Sequence, residues 1–120
     1  EKIEELRRRG VEVVTIGEEK IDPGDVLSDL YRRNVKKVLL EGGGRTNWEF
    51  LNRCLVDELI VTITPHVFGN GISILEGEGY PNTEEAPFVL ELIGVRLCEC
   101  GREVVLTYRL SCKNKFTQNI

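Results

Sequence analysis

Residues 38–49 read Val38-Leu39-Leu40-Glu41-Gly42-Gly43-Gly44-Arg45-Thr46-Asn47-Trp48-Glu49. The first three of them are continuously apolar, which is typical of a short strand buried on both faces of a sheet. The three glycines allow backbone conformations and close approaches that a β-carbon forbids. Thr46 and Glu49 have the spacing of a capping box, so we predict a helix over residues 47–54. Strand, glycine turn and helix are therefore expected in succession.

This order places unpaired backbone N–H groups and the positive end of a helix dipole beyond the carboxyl edge of the predicted sheet, where ligands of open α/β sheets bind. Arg45 adds a positive charge to the same loop. We interpret the loop as a phosphate or pyrophosphate site rather than a plain tight turn. It matches neither the G-x-G-x-x-G fingerprint nor the P-loop, so the pattern alone predicts a phosphate-bearing ligand and nothing narrower.

Three further features lie at the predicted ends of strands. The Glu41 carboxylate needs a hydrogen-bond donor if the end of its strand is buried. That donor is either a polar ligand or the N–H groups of its own glycine loop, and both readings stay open. His66 follows Pro65, and no Cys, Ser or second His stands at a recognisable catalytic spacing, which favours a structural role. Residues 69–71 are either a ligand-facing loop or only a turn.

The rest of the chain alternates helices and strands before it ends in a hairpin. Helical spacing and caps predict helices over residues 1–9 and 22–33. We predict strands over residues 11–16, 38–40 and 57–64, a short strand at 72–75, and a hairpin of 88–100 with 103–110. The expected fold class is therefore α/β, with a mostly parallel sheet, flanking helices and an antiparallel C-terminal hairpin.

Composition excludes several classes of protein. The 120 residues suit one domain, and a net charge of −4 with no basic block argues against a nucleic-acid partner. No apolar run approaches the roughly 18 residues of a membrane helix, and the charged start is unlike a signal peptide, so we expect a cytoplasmic protein without a membrane partner. Four Cys and one His show no Cys-x-x-Cys pattern, so we expect no metal site and reduced, buried thiols. Cys98 and Cys100 share one face of a predicted strand and need not meet.

Three segments together carry a family resemblance. Leu39-Leu40-Glu41-Gly42-Gly43-Gly44, Leu55-Val56-Asp57-Glu58-Leu59 and Thr64-Pro65-His66-Val67-Phe68-Gly69-Asn70-Gly71 resemble the riboflavin-pathway pyrimidine reductases, which have a dihydrofolate-reductase-like fold. The resemblance implies an NADPH-dependent oxidoreductase, with NADH as the alternative cofactor. Hydride would pass to C1′ of the ribosylamino group of a diamino- or amino-pyrimidinone 5′-phosphate and give the ribitylamino product.

The resemblance also implies roles for residues. The glycine loop and the helix start would contact the cofactor phosphates, and the Glu at the end of the strand would lie by the substrate. It implies no metal and assigns no catalytic residue. The cofactor-binding residues would be Gly42, Gly43, Gly44, Arg45, Thr46 and Asn47, and the substrate-binding residue would be Glu41.

Members of that family are longer, and the resemblance covers residues 10–110 of this chain. We therefore expect residues 1–110 to be the C-terminal portion of a reductase domain truncated at its N-terminus, and residues 111–120 to be a disordered polar tail. The family implies a homodimer, for which the long hairpin would be a contact surface. Two alternatives remain: a non-catalytic nucleotide-binding or interaction fragment, and a dihydrofolate-reductase-like reductase with another substrate.

Overall fold

The structure, a computed structural model, describes residues 1–113. The chain forms two compact units, one over residues 1–38 and one from Leu39 onward. The mixed α/β composition is confirmed. In chain order the elements are helices α1 (Lys2–Arg8), α2 (Pro23–Arg32) and α3 (Gly44–Asn52), then strands β1 (Glu58–Ile63), β2 (Phe88–Leu97) and β3 (Val104–Cys112).

The first unit contains α1 and α2, and local signals set their ends. Asp22 caps α2, because its Oδ1 accepts the N–H of Gly24 at 2.7 Å. After the helix, Asn34 takes the left-handed conformation with φ 66°, as its side chain permits. Arg33 donates to Asp29 at 2.6 Å and to Glu12 at 2.5 Å, so two carboxylates raise the pKa of its guanidinium.

The predicted strand over residues 11–16 is not found in this unit. A strand exists through ladder hydrogen bonds to a neighbour, and within residues 1–113 the strand pairing is confined to β1, β2 and β3. Val11 and Val14, two apolar residues of this run, are exposed. Residues 11–16 have the β-branched composition of a strand, but no pairing partner for them is found among residues 1–113.

The second unit holds a three-stranded sheet in the order β1-β3-β2, and both of its pairs are antiparallel. The predicted C-terminal hairpin is confirmed as β2 and β3, with a bulge between Leu92 and Gly94. The mostly parallel sheet is not seen in the described part of the chain, because residues 38–40 and 72–75 join no ladder either. β3 runs through Cys112, the second residue of the expected tail, and residues 114–120 lie outside the described residues.

One face of this sheet is apolar along its whole length. The pairing register puts these residues on it: Leu59, Val61, Ile63, Phe88, Leu90, Leu92, Val95, Leu97, Val104, Leu106, Tyr108, Leu110 and Cys112. At one end the face meets the rest of the unit, where Tyr80 contacts Phe88 edge-on. From the middle of β2 to the other end of the face, Leu92, Val95, Leu97 and Ile63 are all at least half exposed, and we call these four residues the open apolar patch.

The expectation of reduced, buried thiols is wrong. Cys54 and Cys112 form a disulfide that spans 58 residues of sequence, Cys98 is half-buried and Cys100 is exposed. Chain folding brings the Cα atoms of the bonded pair to 6.1 Å, within the usual disulfide range. Pairing across such a separation depends on tertiary structure, which a list of Cys positions does not contain.

The core of the second unit is small. Among residues 1–113, Leu51 on α3 is the one large apolar side chain that is fully buried, at 2% exposure. None of the helices described here has the length and apolar character that a membrane crossing would need. The small core of this unit is therefore centred on Leu51 of α3.

Candidate functional site

Helix α3 starts at Gly44, three residues earlier than predicted, with Gly43 as its N-cap. Gly43 is extended, with φ −66° and ψ 166°, and no side chain in the described part of the chain caps the helix. Thr46 therefore lies inside the first turn, and the predicted capping box of Thr46 and Glu49 is wrong. The first N–H groups of an α-helix have no partner within the helix, so the amino end of α3 is left able to receive an anion.

The three glycines of the loop face different surroundings. A β-carbon on Gly44 would lie 2.6 Å from the Ser73 carbonyl oxygen, and the N–H of Glu76 donates to the Gly44 carbonyl at 2.9 Å. A β-carbon on Gly42 would lie 3.0 Å from the Cβ of Thr46. Around Gly43 nothing lies within 4 Å of such a β-carbon. Gly44 is thus required for packing, whereas Gly43 leaves open space in front of the helix.

Two polar side chains of the helix start differ in how firmly they are held. Arg45 Nε lies 3.4 Å from Glu76 Oε1, but its side chain is 84% exposed, so solvent weakens the pair. Asn47 donates from Nδ2 to the Ile74 carbonyl at 3.0 Å, which fixes the orientation of its amide. Its Oδ1 is buried and has no partner among the described residues. An unpaired buried acceptor is costly, and a hydroxyl or amide N–H of a ligand would satisfy it.

Glu41 directly precedes the glycine loop and is exposed. No group in the described part of the chain donates a hydrogen bond to its carboxylate, so the reading in which its own loop supplies the donor is not seen. His66 stands in an exposed loop after β1, where its ring stacks on Phe68 with centroids 6.1 Å apart. The structure therefore brings Glu41 and residues 42–47 together. Within residues 1–113, the ring contact with Phe68 is the one side-chain interaction found for His66.

Two cavities border α3. The first, of about 230 Å³, is mostly apolar and is lined by Leu40, Asn47, Leu51, Val56, Leu59, Ile60, Val61, Thr62, Ile74 and Leu75. The second, of about 560 Å³, is lined by Trp48, Asn52, Gly77, Gly79 and Tyr80 together with Arg45 and three carboxylates, those of Glu49, Glu76 and Glu78. The second cavity has three carboxylates and one cation, so its net charge would repel an anion. The amino end of α3 at Gly43 is the more favourable place for an anion. The cavity beside Asn47 was not predicted, because its lining comes from four separate segments.

These residues fit the diphosphate of a dinucleotide. The N–H groups at the start of α3 have no side-chain cap among residues 1–113, Gly43 offers close approach, and Arg45 supplies an exposed cation. Asn47 places an acceptor beside an apolar cavity, a combination typical of small-molecule sites.

Comparison with known proteins identifies relatives of this chain. The family model of the RibD C-terminal domain matches residues 1–106. A protein of Aquifex aeolicus named 2,5-diamino-6-ribosylamino-4(3H)-pyrimidinone 5′-phosphate reductase is 38% identical over 82 residues, which are 67% of this chain and 37% of the relative. The protein of the same name from Methanothermobacter thermautotrophicus is 33% identical over 110 residues, 90% of this chain and 49% of the relative.

A third relative is the riboflavin biosynthesis protein RibD of Aquifex aeolicus, 32% identical over 74 residues, which are 62% of this chain and 20% of the relative. The chain thus spans about half or less of the length of these curated relatives. The resemblance found in the sequence motifs is confirmed.

Proposed function

The chain belongs to the RibD C-terminal domain family, and from this membership we propose that it is the cofactor-binding portion of a reductase of riboflavin biosynthesis. The proposed reaction is NADPH-dependent hydride transfer to C1′ of the ribosylamino group of a (di)amino-pyrimidinone 5′-phosphate, which gives the ribitylamino product. Two relatives carry the name of a reductase of such a phosphate, and this supports the substrate class.

The observation that carries the proposal is the uncapped amino end of α3 behind an unhindered Gly43. The N–H groups there would donate to the cofactor diphosphate, and the helix dipole adds a favourable field. Arg45 would partly neutralise the phosphates, since its weak pair with Glu76 leaves the guanidinium mobile.

When bound, the reduced nicotinamide supplies the hydride, and the residues of this chain bind and orient. The Glu41 carboxylate would repel a diphosphate, so we assign Glu41 to the substrate, whose amino groups are hydrogen-bond donors. Asn47 Oδ1, buried and unpaired, would accept from a ligand hydroxyl or amide. Positioning of this kind lowers the barrier by holding the reactants in a reactive geometry.

We also propose a second copy of the chain as partner. The open apolar patch combines three apolar side chains of β2 with Ile63 of β1, and the half-buried Val104 of β3 lies between Leu97 and Ile63. Contiguous exposed apolar surface of this kind marks interaction sites. A homodimer, as the resemblance implies, would cover it.

The test is NADPH affinity of the full-length protein that carries this chain, measured by fluorescence titration. We expect Gly43→Val to weaken binding at least about tenfold, because a side chain there crowds the phosphates. The free energy of unfolding should fall by about 1 kcal/mol at most, since the new Cβ meets no described atom within 4 Å and Val is only a poorer N-cap residue than Gly. Arg45→Gln should weaken binding by about threefold or more, whereas the matched control Arg96→Gln, on exposed β2 surface, should not.

If Gly43→Val left the NADPH affinity unchanged, the glycine loop would not be part of the cofactor site. Turnover is followed separately, as NADPH consumption with the ribosylamino-pyrimidinone phosphate. NADPH binding without turnover would leave a non-catalytic nucleotide-binding module, and parallel titration with NADH decides between the two cofactors.

A further inference from the structure

The turn between β2 and β3 brings two thiols and a carboxylate together. The Sγ atoms of Cys98 and Cys100 and a carboxylate oxygen of Glu103 all lie within 4.8 Å of one another. The strand spacing predicted that the two Cys need not meet. The structure differs because β2 ends at Leu97, so both thiols lie in the turn rather than on a strand face.

The backbone of this turn is well defined by hydrogen bonds. Cys98 N–H donates to the Glu103 carbonyl at 2.7 Å, and Gly101 N–H donates to the Cys98 carbonyl at 2.8 Å. Gly101 has φ +69°, a conformation that favours glycine. The N–H of Cys100 lies 3.4 Å from Cys98 Sγ. The three side chains are thus presented by one closed turn, which reduces the conformational entropy that a ligand would have to remove.

The exposure of these three side chains and the bonding of the other two cysteines also favour a metal site at this turn. Cys98 and Glu103 are half-buried while Cys100 is exposed, so an ion can enter from solvent and still be held from two sides. The other two cysteines of the chain are bonded to each other, which leaves the thiols of this turn as the free ones. Thiolate sulfur with one carboxylate oxygen is a donor set that selects zinc-like cations over Mg²⁺ or Ca²⁺.

We propose that the β2–β3 turn binds one thiophilic divalent cation, with Zn²⁺ as its representative, through Cys98 Sγ, Cys100 Sγ and a Glu103 carboxylate oxygen. Water would complete a tetrahedral site. Zn–S bonds of about 2.3 Å require sulfurs roughly 3.8 Å apart. The 4.8 Å that bounds the cluster exceeds this by about 1 Å at most, an adjustment that a rotation of the exposed Cys100 side chain would supply. Binding releases the thiol protons to solvent, and the resulting three negative charges face the 2+ ion.

The experiment is a Zn²⁺ titration of the full chain, prepared metal-free, against a chromophoric chelator. A native thiol assay should first count two free thiols. We expect one Zn²⁺ per chain with a dissociation constant of about 1 μM or tighter. Co²⁺ in place of Zn²⁺ should give thiolate-to-metal charge-transfer absorption, which oxygen ligands alone do not produce.

The variants separate a built site from chance binding by exposed groups. Cys98→Ser and Cys100→Ser should each weaken binding at least about tenfold, and Glu103→Gln by about threefold or more. The matched control is Glu99→Gln, which removes the carboxylate between the two cysteines that stands outside the cluster. It should bind as the parent does. Alkylation of both free thiols on the folded parent should abolish binding, a readout that does not depend on how a variant folds.

No binding up to about 100 μM would overturn the proposal, and so would an affinity that neither thiol variant nor alkylation changes. If Glu103→Gln and Glu99→Gln bound Zn²⁺ with equal affinity, Glu103 would not be a ligand and the three-ligand site would be wrong. The proposal is independent of the reductase function, because NADPH titration reports on α3 and Zn²⁺ titration on the turn.

Discussion

Gly44 has no room for a side chain, whereas its neighbour Gly43 does. A β-carbon at Gly44 would press on the Ser73 carbonyl oxygen, whereas one at Gly43 would meet nothing. We expect Gly44→Ala to lower the free energy of unfolding by about 1–3 kcal/mol through overpacking, and Gly43→Ala to change it by about 0.5 kcal/mol or less. Urea unfolding of both variants checks this. Equal losses would contradict the packing assigned to Gly44.

A substitution at Glu41 should weaken substrate binding and leave cofactor binding nearly unchanged. We expect Glu41→Gln to raise the KM for the pyrimidine substrate about tenfold, because a hydrogen bond to a charged acceptor is stronger than one to a neutral amide. The dissociation constant of NADPH should stay within about twofold, as binding titration would show. Similar losses for substrate and cofactor would instead indicate a structural role for the carboxylate.

At the residue scale the sequence predicted a helix behind the glycine loop but not the residue that caps it. Three glycines followed by Arg45 identify the loop without any tertiary information. Thr46 with Glu49 also fits a cap, yet the helix begins at Gly44, where its first turn contacts the segment around Ser73 and Glu76. That contact joins residues about thirty positions apart, so a local motif could not include it. The unpaired Asn47 Oδ1 depends on the same segment, through Ile74.

Elements whose ends or turns are set by neighbouring residues in the sequence were predictable. Strands that need a pairing partner from elsewhere in the chain were not. Asp22 caps α2 as its sequence indicates, and the β2–β3 hairpin follows from two β-rich runs around a glycine turn. The runs at 11–16 and 38–40 have equally good strand composition but lie outside every ladder of the described residues. Strand formation needs a neighbour, and composition does not specify one.

The disulfide links the segment after α3 to the end of β3, and it should contribute strongly to stability. Closing a loop of 58 residues corresponds to about 4 kcal/mol in the chain-entropy account. We expect Cys54→Ser to lower the free energy of unfolding by about 2–4 kcal/mol in denaturant melts with a metal chelator present. The matched control Cys100→Ser, at an exposed free thiol, should cost about 0.5 kcal/mol or less. Equal effects of the two variants would mean that the cross-link does not form.

For the whole molecule, the open apolar patch decides the oligomeric state that we expect. Val95 is 62% exposed on the apolar face, and Val89 is 51% exposed on the opposite face of the same strand. If a second copy covers the patch, Val95→Glu should shift light-scattering mass from dimer to monomer, because it buries an unpaired charge. Val89→Glu should leave the dimer intact. A parent that is monomeric, or two variants with the same mass, would contradict this interface.

The cross-link between Cys54 and Cys112 has one more consequence for the irregular segment of residues 64–87. A single proteolytic nick there would separate the polypeptide into two pieces that remain covalently attached, so they would migrate together until a reductant is added. For the same reason, new chain ends placed in the exposed residues 64–72, clear of the contacts that Ser73, Ile74 and Glu76 make with α3, would leave the hairpin tethered to the helix.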